Sequence, residues 1–296
     1  MNEKEIESMG NYLLKNYTKK TAKAYQREIE IYISNNPNNK KYSYTEIIKY
    51  IGVLRNKYNN ARTINRMLCS IKAYYSYLTA TNQRRDNPTK SIHLKDKQSR
   101  DIQLQDLFTT AELEALLTAK QERYTHLDYR NKVLISLLIY QALKPTEMEQ
   151  LQVTEINLEA ATIYIKASAK NNNRTLALKA NQILLFQKYL DEIRPKLLKE
   201  KASTFLLIGI RGTAMCAEDI SKHIKRIGKY FPLGGLKGLN AMTIRQSVIT
   251  NLLKQHNDLR IVQAFAGHKY TSTTERYKQN NVELLQAAVD KYHPMK

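Results

Sequence analysis

The sequence is poor in cysteine, in acidic side chains and in long apolar runs. Only Cys69 and Cys216 occur among 296 residues. They stand far apart with no His or Cys neighbour at ligand spacing, which excludes a disulfide framework and argues against a zinc site. The chain needs neither staple, because its length suits two domains of unequal size, each able to bury its own core. No stretch reaches the ~18 uninterrupted apolar residues that a membrane span requires. The first residues, MNEKEIESMG, mix both charge signs without the apolar segment of an export signal. The expectation is a cytoplasmic protein, neither exported nor embedded in a membrane. No internal repeat or low-complexity tract occurs.

Asp and Glu number 27 against 48 Lys and Arg, a net charge of +21. Such a surplus repels itself in the compact state unless an acidic partner compensates, so a nucleic acid is the natural partner. The excess is uneven: residues 1 to 100 hold 20 basic and 8 acidic side chains, a surplus of 12, which leaves 9 for the other 196 residues. Charge by itself names no reaction.

What is present is mostly helical periodicity. In ARTINRMLCSIKAYYSYLTA, residues 61 to 80, Ile64, Leu68, Ile71, Tyr75 and Leu78 recur at steps of three and four, with Arg62, Arg66 and Lys72 off that stripe. Weaker stripes predict helices over 19 to 33 and 43 to 57, the second opened by Ser43 with Glu46 three residues on, a capping pair. Asn87-Pro88 stops the pattern, and a polar stretch without periodicity follows. A helical domain over 1–92, a linker over 93–106 and a second domain over 107–296 are therefore expected. In the second, FTTAELEALL carries a threonine cap before an apolar run, and NKVLISLLIYQ, residues 131 to 141, is apolar on nearly every side, as in a buried helix. Residues 162 to 166 and 174 to 178 alternate like two strands of a hairpin, around a turn holding Asn171, Asn172 and Asn173. The class is mainly α with a small antiparallel β-sheet.

Chemistry concentrates between Met242 and Tyr277, where Arg245 is followed after 23 residues by Gly267-His268 and, nine residues later, by Tyr277. That spacing, with the flanking LLKQHNDLRIVQAFAGH and TSTTERY, resembles the tyrosine recombinase (phage integrase) family, whose His-x-x-Arg box, Gly-His pair and nucleophilic tyrosine stand at these intervals. Spacing favours Tyr277 over Tyr270 and Tyr292. Upstream, ALKPTEMEQL is similar to the family's first arginine box, usually Gly-Leu-Arg with a glutamate three residues after the arginine. Lys144 occupies the arginine position and Glu147 is in place. The hairpin resembles the one whose turn carries the family's catalytic lysine, a role open to Lys170 or Lys166. TAKAYQREI and the helix leading to Asn87-Pro88 are similar to the family's core-binding domain, so the resemblance spans nearly the whole chain.

The resemblance implies a two-domain, C-shaped DNA clamp that cuts and rejoins strands through a 3′-phosphotyrosyl bond. Bond energy is kept, so neither cofactor nor metal is implied. Tyr277 is the expected nucleophile. Arg245 and Lys144 are expected to meet the charge growing on the phosphate, His268 to handle the phenol proton, and Lys170 to protonate the departing oxygen. Two departures bear on rate. Lys144 keeps a charge but lacks the arginine fork, and Met242 replaces a histidine with a thioether that carries no useful proton. A rival reading follows from them: a catalytically impaired DNA-binding accessory protein derived from a recombinase. A topoisomerase-like nicking enzyme is a third. The expected partners are double-stranded DNA and three further copies, a homotetramer on DNA joined through the terminal helix of NNVELLQAAVDKY, whose Val282, Leu285, Ala288, Val289 and Tyr292 share one face. An accessory protein is left unidentified, and no membrane is involved.

Overall fold

A computed structural model describes residues 8–96, 107–169, 171–230 and 238–277. The chain divides into two compact units, one within residues 1–100 and one within 101–296.

The first unit contains α1 (Met9–Asn16), α2 (Lys19–Asn35), α3 (Tyr44–Lys57) and α4 (Ala61–Ala80). Local chemistry sets where these helices begin. The Thr18 hydroxyl caps α2, the Asn60 carboxamide caps α4, and at α3 Glu46 accepts the Ser43 N–H at 2.7 Å, the capping box expected from sequence. The stripe of α4 is buried at Ile64, Leu68, Ile71, Tyr75 and Leu78, against Leu13, Ile29, Tyr32 and Ile47 of the other helices. Tyrosine supplies much of this core, and its hydroxyls are paired in sequence. Tyr75 donates to the Asn39 carbonyl at 2.7 Å, so its oxygen accepts from Tyr32 at 2.8 Å. Of the basic residues off the stripe, Arg66 is paired with the mostly buried Glu28.

The second unit is built around α6 (Thr125–Gln141), whose Val133, Leu134, Leu137 and Leu138 are fully buried. Before it lies α5 (Thr110–Ala115), opened by the expected Thr109 cap with Glu112. After it come α7 (Pro145–Gln150) and a three-stranded antiparallel sheet in the order β1 (Ile156–Asn157), β2 (Thr162–Ile165), β3 (Arg174–Ala177). Ile163 faces Leu176 and Ile165 faces Arg174 across β2 and β3. The two-residue β1 carries no sequence signal, since alternation needs a longer run to register. A helical stretch follows, α8 (Ala180–Lys188), a π turn at Tyr189–Ile193 and α9 (Arg194–Leu198), then α10 (Ala217–Ile227), α11 (Ala241–Lys254), α12 (Leu259–Ala266) and α13 (Thr271–Glu275). The Ser247 hydroxyl of α11 accepts the Phe108 N–H at 2.9 Å, and Asn251 donates to the Phe108 carbonyl at 3.0 Å, which fixes α11 against the start of the unit. Among the described residues no helix is long and apolar enough to cross a membrane. The terminal helix expected after Asn281, and most of the expected linker, lie outside the described residues.

Candidate active site

Two turns carry the site. The first follows α6, where Ala142 ends the helix in the left-handed region at φ 51°. That conformation suits glycine and costs an alanine about 1 kcal/mol. It turns the chain so that the Ala142 carbonyl faces α11 and Lys144 begins α7. Glu147, in the first turn of α7, accepts the Lys144 N–H at 2.9 Å.

The second turn ends α12 at Gly267, φ 68°. A side-chain carbon there would stand 2.7 Å from Arg174 Nη1 and 3.1 Å from the Asn172 carbonyl, so both conformation and space demand glycine. The hairpin turn lies directly on this corner: Asn172 N–H donates to the Gly267 carbonyl at 2.9 Å, and Asn171 bridges His268.

Between the turns, Arg245 on α11 is buried to 2% exposure. Its guanidinium donates to the carbonyls of Ala142 and Ala266 and, at 3.2 Å, to His268 Nε2. Arginine has no acceptor, so Nε2 must offer its lone pair and the imidazole proton sits on Nδ1, donating to Thr274 Oγ1 at 2.9 Å. Burial, together with the charges of Arg245, Lys144 and Arg174 against the single opposing carboxylate of Glu147, pushes His268 down to about 3. It is neutral near pH 7. Burial likewise holds Arg245 below the ordinary arginine value, with Glu147 acting in the other direction.

Tyr277 stacks on His268 with ring centroids 5.8 Å apart and planes at 20°. Burial raises its phenol pKa, opposed by the positive charges of Arg245 and Arg276. Facing it, Lys144 Nζ donates to Asn171 Oδ1 at 2.8 Å, and Asn171 Nδ2 donates to Glu147 Oε1 at 3.0 Å. Arg174 closes on Glu147 through two bonds of 3.0 and 3.1 Å. Burial works to raise the Glu147 pKa, but Arg174, the Lys144 N–H and Arg245 outweigh it and hold the carboxylate low and ionised.

Lys144, Asn171, Arg245, His268 and Tyr277 line one open cleft of about 430 Å³, with Met242 on its rim and Lys269 and Arg276 adding positive charge. Of the residues singled out from sequence, Tyr277, Arg245, His268 and Lys144 thus converge. Lys166 does not: it pairs with Glu155 at 2.8 Å and does not line the cleft. Lys170 lies outside the described residues. Asn171, Arg174 and Thr274 are site residues that sequence reading missed. The run of three asparagines signals only a turn, and nothing local marks the first of them as a buried hub. Among the described residues no three His, Cys, Asp or Glu side chains gather as a metal site would require.

The sequence profile of the Phage integrase family matches residues 106–283, and that of the Phage integrase N-terminal SAM-like domain matches residues 6–82. The chain belongs to the phage integrase family, that of the tyrosine recombinases. Its relatives in this family include the tyrosine recombinase XerD of Oceanobacillus iheyensis, 28% identical over 256 residues that cover 86% of this chain and 83% of the relative. The XerD of Listeria monocytogenes serotype 4b is 26% identical over 284 residues, 93% of this chain and 92% of the relative. The same fold appears in the XerH site-specific recombinase bound to a palindromic difH substrate, with a TM-score of 0.68 at 24% identity over 88% of this chain and 76% of that one. It also appears in the Tn1549 transposon integrase in complex with transposon right end DNA, with a TM-score of 0.66 at 17% identity over 97% and 99% of the two chains.

Proposed function

We propose that this integrase-family protein carries out site-specific DNA recombination with Tyr277 as its nucleophile. The observation that carries the reading is the meeting of a phenol, a neutral imidazole, a buried guanidinium and an ammonium on one cleft. The phenol oxygen attacks the phosphorus of a backbone phosphodiester, and the bond to the 5′-oxygen breaks. The strand is left as a 3′-phosphotyrosyl ester with a free 5′-hydroxyl. Arg245 and Lys144 stabilise the charge gathering on the non-bridging oxygens; as Arg245 turns an N–H to the phosphate it frees the Nε2 lone pair of His268, which takes the phenol proton, and Lys170 gives one to the departing oxygen. Attack by the 5′-hydroxyl of another strand reverses the steps and completes the exchange. The relatives named XerD and the DNA-bound XerH support this reading.

Cleavage is expected to be slow. A lysine in place of an arginine fork removes a well-placed donor, a change worth about 10²- to 10³-fold in rate. Met242, exposed on the rim of the cleft, offers no proton where the family's box has histidine, a loss on the order of 10²- to 10⁴-fold. The same two residues motivate a second reading, a DNA-binding accessory protein that no longer cuts.

Covalent trapping separates the two. The protein and a Tyr277→Phe variant are incubated with nicked DNA substrates whose target is first selected by binding from random sequence. A protease-sensitive DNA adduct that vanishes in the variant is the expected result. Specific binding without an adduct from either protein, across pH, would leave only the accessory reading. The proposal extends to a cytoplasmic homotetramer on paired duplexes, joined through residues 281–296. Truncation after residue 280 is then expected to abolish four-protomer complexes while sparing binding to a single site.

A further inference from the structure

Lysine at position 144 has a structural partner in this chain, the side chain of Asn171. An ammonium is a point donor on a flexible four-carbon stem, whereas a guanidinium brings its own direction in a planar fork. A lysine that is to hold a phosphate oxygen in a fixed place therefore needs a second group to aim it. Asn171 is built for that. Glu147 can only accept and the Lys144 ammonium can only donate, so the Asn171 amide must turn its oxygen to Lys144, at 2.8 Å, and its nitrogen to Glu147, at 3.0 Å. Glu147 is itself held by Arg174 and by the Lys144 backbone N–H. The Asn171 backbone is clamped on both sides, its N–H on Ser168 Oγ at 3.1 Å and its bridge on His268, and the residue is 4% exposed. The amide has no room to swing away.

We propose that Asn171 is a positioning residue for Lys144, that the two act as one unit, and that arginine at 144 is excluded while Asn171 is present. The inference rests on the recombinase reading above. The guanidinium carries its planar head beyond the point where the Lys144 ammonium stops, and that point already lies within hydrogen-bond distance of a clamped amide. An arginine must therefore displace the amide from Glu147 or turn out of the cleft. Restoring the family's own residue then lowers activity, and shortening residue 171 makes room for it.

The test is single-turnover cleavage of a nicked substrate at saturating protein, for the wild type, Lys144→Arg, Asn171→Ser and the double variant, with DNA affinity and thermal unfolding measured alongside. Each single variant is expected to cleave about ten- to a hundredfold more slowly, the usual scale for losing a group that orients a site residue, with DNA affinity near that of the wild type. The double variant is expected to cleave faster than Lys144→Arg alone, a reversal of sign that a merely structural asparagine does not produce. Lys144→Arg cleaving as fast as the wild type or faster overturns the pairing, whether or not Asn171→Ser folds. So does a double variant no faster than Lys144→Arg. A wild-type protein that forms no Tyr277-dependent adduct instead overturns the recombinase reading itself, and the pairing with it.

Discussion

The cleft has two walls, and they hold their cations by different means. On one, Arg245 is fixed by main-chain carbonyls of Ala142 and Ala266, groups that the turns after α6 and α12 present whatever their side chains. On the other, Lys144 is fixed by the side chain of Asn171, which depends on the hairpin, on Glu147 and on Arg174. The first wall keeps the family's residues and spacing at Arg245, Gly267, His268 and Tyr277 and departs at Met242; the second keeps Glu147 and departs at Lys144, the cation itself. A cation held by backbone leaves its partners few ways to vary, whereas one held by a side chain can change together with that side chain.

The contrast is broken most forcefully by removing each cation in turn. Arg245→Ala is expected to slow adduct formation about 10²- to 10³-fold and also to lower the unfolding temperature. It strands two buried carbonyls and the His268 lone pair, each unpaired group costing roughly 1–3 kcal/mol. Lys144→Met is expected to slow cleavage with a smaller fall in unfolding temperature, since it unpairs the Asn171 oxygen while Asn171 keeps its bond to Glu147. Equal thermal losses in the two variants would erase the distinction.

Next in size is Thr274→Val, which leaves the His268 Nδ1 proton without its acceptor while Arg245 still claims the Nε2 lone pair. Nitrogen-15 NMR of the imidazole should report the Nδ1–H form in the wild type, in Thr274→Ser and in the valine variant alike, but the ring loses its anchor and cleavage falls about tenfold or more in the valine variant alone. Cleavage by Thr274→Val at the wild-type rate would release Thr274 from that role.

The histidine also gives the Arg245 wall a pH signature. His268 is lowered from 6.5 to about 3, so on acidification the unfolded chain takes up its proton first. Stability is present in full above pH 6.5 and falls as pH drops from there toward 3, by up to about 1.4 kcal/mol per pH unit. His223 on α10, away from the cleft, is lowered by burial and by Arg130 and Arg226 to about 4 and adds to the slope over its upper part. Urea titrations at stepped pH should therefore show a shallower acid limb for His223→Gln, with His268 and, below the ordinary carboxylate range, Glu147 still contributing. The smallest effect is at Ala142, where glycine relieves the positive φ. Ala142→Gly is expected to stabilise by about 1 kcal/mol, seen as a rise of a few degrees in unfolding temperature.

Much of the fold was legible because its signals are local. The Ser43–Glu46 box, the Thr109 cap, the stripe of α4 and the apolar α6 each lie within a few helical turns, and each was formed as read. On the Arg245 wall, residue spacing sufficed to bring Arg245, His268 and Tyr277 together, since short helices and a glycine corner connect them. The opposite wall resisted. Lys166 reads as a turn lysine until Glu155 is found beside it, and Asn171 reads as a solvated loop residue until Glu147, 24 positions away, turns it into a buried hub.

The sequence by itself determined the mainly helical class, the family and the order in which the reactive groups occur, because caps, periodicity and spacing act between near neighbours. Only the tertiary structure decided which nitrogen of His268 carries the proton, and that Lys144 is aimed by an asparagine. Both follow from hydrogen bonds between elements far apart in the chain, whose geometry exists only once helices and hairpin have packed.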